Sequence, residues 1–132
     1  YKEMAGTDFS QVGKITTEIS AQLKTAGIQN GKPFDVFYPE DSGTPNEIGF
    51  VVLEEQGALI SKLGNEVKSK TIPEQNCMTA EFPFRNPASY FFGYFKIDPA
   101  LKKHREEHGY KKVQAISIFD GDRITYLQPV VK

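Results

Sequence analysis

A single cysteine, Cys77, stands in this 132-residue chain, and there is no tryptophan. One cysteine excludes an internal disulfide framework and any zinc site built on clustered thiolates. No apolar run approaches the roughly 20 residues that span a bilayer as a helix. Charge of one sign is missing as well. Sixteen Lys and Arg oppose 17 Asp and Glu, so the chain lacks the positive field that drives non-specific nucleic-acid binding. The patterns G-x-G-x-x-G and G-x-x-x-x-G-K-[ST] do not occur, nor does the G-x-S-x-G elbow. Nucleotide-phosphate loops and that hydrolase turn therefore have no signal. The acidic stretch Glu40-Asp41-Ser42-Gly43 lacks the alternating ligands of a calcium loop and reads as plain loop.

What remains is the composition of one globular domain over residues 1–132. Apolar residues make up 39% and charged residues 25%, which is the balance of a folded chain rather than a disordered one. A chain of this size buries enough surface to fold without metal or disulfide staples. Ten Phe and six Tyr tilt the composition toward aromatics, a first pointer to a binding surface. The first residue is Tyr1 rather than Met, so the expectation is of a fragment or a processed product. A signal, an anchor or a further domain before Tyr1 stays open, and so does an anchored or exported form, although a cytoplasmic setting is favoured.

Periodicity places the elements. Residues 1–6 read as the stump of an edge strand. Phe9, Val12, Ile15, Ile19 and Leu23 recur at spacings of three and four and predict a helix. Asp8 with Gln11 resembles a capping box, Thr7 is a rival cap, and Gly27 is a left-handed stop. Phe34–Tyr38 and Ile48–Leu53 read as strands separated by the loop composition of 39–46. Val67–Ile72 reads as a short strand or an extended connection ending at Pro73. Met78, Ala80, Phe82 and Phe84 alternate along a strand from Cys77. Residues 87–108 admit two readings. One is a single helix kinked at Pro99; the other is an extended aromatic arm followed by a short helix capped by Asp98-Pro99. Gly109 closes either one. Val113–Phe119 and Arg123–Val130 are strands joined by Asp120-Gly121-Asp122, a hairpin signal.

The two halves run in parallel. In each, a helix ends at a glycine, Gly27 or Gly109; an apolar residue follows, Ile28 or Tyr110; then a strand ends at Tyr38 or Phe119, with a partner strand after it. The pattern predicts an α+β fold of duplicated β-α-β-β units with pseudo-two-fold symmetry, antiparallel sheets and two main helices. The first repeat covers about 1–56 and the second about 66–132. A junction between such repeats is a natural place for a ligand cleft.

Several residues invite chemistry. His104-Arg105-Glu106-Glu107-His108 fits H-x-x-E-H, the inverted zinc-protease pattern. No third ligand follows His108 except Asp120 and Asp122 in a tight turn, and the flanks are those of a solvated helix, so no metal site or cofactor is assigned. Cys77 on an alternating strand reads as a small buried hydrophobe rather than a nucleophile. The cluster Tyr90, Phe91, Phe92, Tyr94, Phe95 reads first as core. Five aromatics within six residues cannot all face one way, however, and some are left to line a second surface that could stack on an organic ligand.

The stretches Phe9–Tyr38 and Thr71-Ile72-Pro73 into the strand to Phe84 carry a family likeness. The likeness continues through Phe92-Gly93, Lys96, Pro99-Ala100-Leu101, Gly109-Tyr110, Ala115–Asp120 and Ile124–Leu127. The chain resembles the GyrI-like effector-binding domains, which also serve as ligand sensors in bacterial transcription activators. The resemblance spans nearly the whole chain and rests on order and spacing rather than on one motif. It implies small-molecule binding in a cleft on the pseudo-two-fold axis, and it favours the single kinked helix over 87–108. Many members place a glutamate two residues before an aromatic on the penultimate strand. Here that position is Ser117, before Phe119. The departure removes the negative charge that favours cationic guests and the carboxylate that hydrolase members use.

The reading that follows is a non-catalytic domain holding an apolar or weakly polar organic ligand. Tyr38, Phe92, Phe95, Phe119 and Tyr126 are its expected walls, Ser117 a hydrogen-bonding group, and Glu81 or Glu47 a carboxylate that could stand in for the missing one. Two alternatives stay open: a small hydrolase using Glu81 and a tyrosine, and a structural or partner-binding module with no pocket. No nucleic-acid contact or membrane span is expected of this chain.

Overall fold

The structure, a computed structural model, describes residues 1–6 and 9–132, the side chains of Phe9, Pro87, Ala88, Tyr90, Phe91 and Tyr94 excepted. The expected caps at Thr7 and Asp8 lie outside the described residues, as does the Phe9 side chain. The elements run β1 (Lys2–Met4), α1 (Phe9–Thr25), β2 (Lys32–Phe37), β3 (Asn46–Val51), β4 (Cys77–Pro83), α2 (Pro87–Glu107), β5 (Ala115–Asp120) and β6 (Arg123–Pro129). Two 3-10 segments, Glu40–Ser42 and Glu54–Lys62, interrupt the loops. The fold is α+β, with antiparallel pairing of β1 with β3, β4 with β6, and β5 with β6.

The chain divides into two compact units. The first holds Tyr1–Asp35 and Pro45–Ile72; the second holds Val36–Thr44 and Pro73–Lys132. In the first unit the strands neighbour one another in the order β1-β3-β2, with α1 packed on β3. In the second the order is β4-β6-β5, with α2 packed on β4 and β6. Each order is first–third–second along its own β-α-β-β run.

The helix ends agree in detail. After α1, the Ile28 N–H donates to the Leu23 carbonyl at 2.9 Å and the Gly27 N–H to the Lys24 carbonyl at 3.1 Å. After α2, the Tyr110 N–H donates to the Arg105 carbonyl at 2.9 Å and the Gly109 N–H to the Glu106 carbonyl at 3.3 Å. Both are Schellman closures, and both need a residue at positive φ. Gly27 at +81° and Gly109 at +69° supply it. The apolar residue after each glycine turns inward and joins the core of its unit.

The first core gathers Ile19, Leu23, Ala26 and Ile28 under Phe50, Val52 and Leu63. Of the predicted stripe of α1, Ile19 and Leu23 are buried in this core and Ile15 packs against it. The second core gathers Met78, Ile97, Leu101, Ile124 and Tyr126. Along β4 the predicted alternation holds: Met78, Ala80 and Phe82 turn inward while Thr79, Glu81 and Pro83 are exposed. The β5–β6 hairpin closes at the pair Asp120 and Arg123, with Gly121 at φ +61° in the first central position of its two-residue turn. That is where such a turn asks for glycine.

Two expectations resolve. Residues 87–107 form one helix, which excludes an extended arm with a fresh start at Asp98-Pro99. The start is at Asn86, whose side chain accepts from the Ser89 N–H at 3.2 Å while the Ser89 hydroxyl accepts from the Asn86 N–H at 3.3 Å. This capping box fixes the first turn, and Pro99 sits inside the helix. Residues 67–72 form no strand and run as a connection.

Gly93 governs how closely α2 approaches its strands. A Cβ there would stand 2.5 Å from the Tyr126 hydroxyl oxygen and 3.0 Å from the Phe82 ring. Gly93→Ala is therefore expected to destabilise by about 1–3 kcal/mol through overpacking, although alanine is the better helix former. In a Tyr126→Phe background, which removes the oxygen, the penalty should shrink. Urea unfolding of the four proteins measures it, and a neutral or stabilising Gly93→Ala would refute the close approach.

Candidate functional site

With Glu81 as the carboxylate, the seven residues expected at a site all belong to the second unit, Glu81 on the opposite strand face from Ser117, Phe119 and Tyr126. Ser117 and Tyr126 face each other across β5 and β6, and Phe119 occupies the next same-face position opposite Ile124. All three lie on the face that carries Ala80 and Phe82 of β4, the face that packs in the core of the second unit. Ser117 and Tyr126 are buried, and Phe119 meets Phe84 edge-on at 5.7 Å between ring centres. Tyr126 belongs to that core and Phe119 packs against it. Phe92 and Phe95 are 64% and 71% exposed on α2. Their neighbours Tyr90, Phe91 and Tyr94 have side chains outside the described residues. Tyr38 is half-buried just past β2.

Glu81 lies on the opposite face of β4 from Ala80 and Phe82. It is exposed, with Arg123 Nη1 at 3.4 Å. Strand parity keeps it from Tyr126, because its cross-strand neighbour is Thr125. Cys77 is half-buried, and desolvation pushes its thiol above the ordinary cysteine range. A thiol so shifted carries less thiolate, the reverse of an activated nucleophile. His104 and His108 are exposed, their rings tilted by 31° with centres 4.0 Å apart, and His108 Nδ1 donates to the His104 carbonyl at 2.8 Å. Among the described residues no three His, Cys, Asp or Glu side chains group as metal ligands.

A pocket of about 460 Å³ lies wholly within the first unit. None of the seven expected residues lines it. Its floor is Ile19 and Leu23 of α1 with Phe34 of β2, all buried. Phe50 and Val52, the 3-10 helix Glu54–Lys62 and residues 67–72 form the walls. Val51, Leu53 and Ile72 stand at the rim, 40%, 52% and 47% exposed.

The wall at 67–72 is held by an electrostatic match. In the β1–β3 ladder Glu3 is paired directly with Glu47, and like charges in that position oppose pairing. Lys68 Nζ meets Glu3 Oε1 at 2.7 Å, and Lys70 Nζ meets both oxygens of Glu47 at 2.6 and 2.7 Å. The alternation Lys68-Ser69-Lys70 thus sets two ammonium groups against two carboxylates. The Lys68 N–H also donates to the Tyr1 carbonyl at 2.9 Å, and Lys70 Nζ lies 5.0 Å from the centre of the Tyr1 ring, within cation–π range. The hydrogen bond that Lys68 donates to Glu3 holds the Lys68 ammonium above the ordinary lysine range. On the other face of β1, Lys2 meets Glu18 of α1 at 3.0 Å, and this contact raises the Lys2 pKa in the same sense.

Sequence reasoning misses this pocket because its walls are brought together over long separations. The available signal is the period-two run Val67-Lys68-Ser69-Lys70, with its apolar residue turned to the core and its charges to the acids. Comparison with family models, with curated proteins and with solved structures gives no match. Among the described residues, no helix is long and apolar enough to cross a membrane.

The two ion pairs should differ in weight. The Glu47 side chain is 8% exposed, so removing its partner leaves a carboxylate largely out of water. Lys70→Met should cost about 1–3 kcal/mol, allowing for partial solvation of the lysine. Lys68→Met, at a solvent-exposed pair, should leave stability nearly unchanged. Chemical denaturation of both variants decides it; equal effects would contradict the burial difference.

Proposed function

We propose that this chain is a non-catalytic, ligand-binding domain that takes an apolar organic molecule into the pocket of its first unit. One observation carries the proposal: a buried apolar floor opens through a rim of three exposed apolar side chains, Val51, Leu53 and Ile72. Exposed apolar groups gathered around a concavity are characteristic of binding sites rather than of plain surface. The volume falls in the range of sites for small organic molecules. The likeness to GyrI-like effector-binding domains belongs to the same proposal, and the common β-α-β-β order of the two units is consistent with it. The proposal places the ligand in the pocket beside α1 rather than at the Ser117 and Tyr126 surface, where Tyr126 belongs to the apolar core of the second unit.

The hydrolase alternative finds less support. Glu81 and Tyr126 occupy opposite strand faces, so that carboxylate and that phenol do not form one acid–base pair.

A thermal-shift panel of lipophilic compounds tests the proposal, because a ligand that prefers the folded state raises the melting temperature. At least one compound should raise the Tm of the native chain. Ile60→Trp, which places a larger ring at the pocket wall, should abolish that rise while the far-ultraviolet circular dichroism stays native. Ser117→Val serves as the control in the second unit. No shift with any compound, or a shift lost in Ser117→Val and kept in Ile60→Trp, overturns the assignment to this pocket.

A further inference from the structure

We infer that the ligand of this pocket is a monoanionic amphiphile, its aliphatic chain seated over Ile19 and Leu23 and its carboxylate held at the rim by Lys68. The inference rests on the proposed binding role of the pocket and adds the chemistry of the guest. Aliphatic side chains dominate the lining, which suits an extended hydrocarbon chain that gains by leaving water. The charges at the rim are arranged asymmetrically. Lys68 and Lys70 line the pocket, while their partners Glu3 and Glu47 do not. A guest therefore meets the ammonium ends of both ion pairs first, and Glu54 is the acid among the lining residues.

The two lysines are not equivalent. Lys70 is committed to both oxygens of Glu47. Lys68 makes one side-chain hydrogen bond, to Glu3, and its side chain is 56% exposed. An ammonium carries three donors, so Lys68 retains donor capacity for a carboxylate oxygen while keeping Glu3. Ser69 and Thr71 hydroxyls line the same rim and suit the polar end of such a molecule. A cationic guest would meet two ammonium groups. The expectation drawn from Ser117, a neutral guest, concerned a surface in the other unit and does not bear on this rim.

Three probes of equal chain length separate the contributions: decanoate, 1-decanol and decylamine, each measured by displacement of Nile red below its aggregation concentration. Decanoate should bind roughly three- to tenfold more tightly than decanol, the scale of one charge-assisted hydrogen bond at a partly solvated site, and decylamine most weakly. The preference should shrink in high salt. Lys68→Gln should erase it while decanol affinity is kept. The double variant Glu3→Gln/Lys68→Gln should erase it too, because it removes the donor without leaving Glu3 exposed to the ligand. If the native chain binds decanol as tightly as decanoate, or if the double variant retains the preference, the anionic assignment fails while the apolar pocket stands. If none of the three displaces the dye, the binding role of the pocket fails with it.

Discussion

Glu3 and Glu47 stand opposite each other on β1 and β3, and this placement imposes a requirement that the strands alone do not meet. Two carboxylates across an antiparallel pair repel, and Glu47 is largely withdrawn from water. Neutralisation comes from Lys68 and Lys70, two residues apart on a segment with no secondary structure of its own. Extended backbone sends residues i and i+2 to one side, so the Lys-Ser-Lys spacing matches the two acids. The same geometry turns Val67 toward Leu63 and the α1 core. The connection is thus both an electrostatic complement to the β1–β3 ladder and one wall of the pocket.

The two units show how one chain order reaches two different interiors. Each runs β-α-β-β, each orders its strands first–third–second, and each ends its helix in the same glycine closure. In the second unit Gly93 lets α2 come close enough for the Tyr126 hydroxyl and the Phe82 ring to fill the space a side chain would take. Arg105 of α2 reaches Gln128 of β6 at 3.2 Å and ties the far end of that helix down. In the first unit α1 presents Ile19 and Leu23, and the opposing surface includes a 3-10 helix and an irregular segment rather than strands alone. Such segments do not interdigitate with a helix as a pleated strand does. The volume left over is the pocket.

The elements legible in the sequence are those set by local chemistry. The α1 stripe, the β4 alternation, both glycine stops and the β5–β6 hairpin each depend on residues within one or two turns of chain. The pocket beside α1 is not legible in the same way, because its walls come together over long separations. Aromatic clustering leaves some rings for a second surface; Phe92 and Phe95, three apart on a helix, share a side, and on α2 that side is exposed. The family likeness, in contrast, points to Ser117 and Phe119 because Ser117 holds the position of the family's glutamate, two residues before an aromatic. Strand parity puts them on one face with Tyr126, whose side chain belongs to the core of the second unit. Lys68 and Lys70, by contrast, look like ordinary surface charge until Glu3, 65 residues away from Lys68, and Glu47, 23 residues away from Lys70, are placed beside them.

The pocket and the ion pairs are therefore coupled through one short stretch of backbone. Leu63 and Val67 bind the segment to the α1 core by apolar burial, and Lys68 and Lys70 bind it to the ladder by charge. Apolar burial is insensitive to salt at ordinary ionic strength, whereas a pair as exposed as Lys68 and Glu3 is screened within roughly 10 Å. The buried end, Lys70 with Glu47, is protected from that screening and fixes the position of the wall. The exposed end can exchange partners at small cost. A rim with one fixed and one exchangeable cation keeps the pocket formed while leaving a charged group available to whatever occupies it.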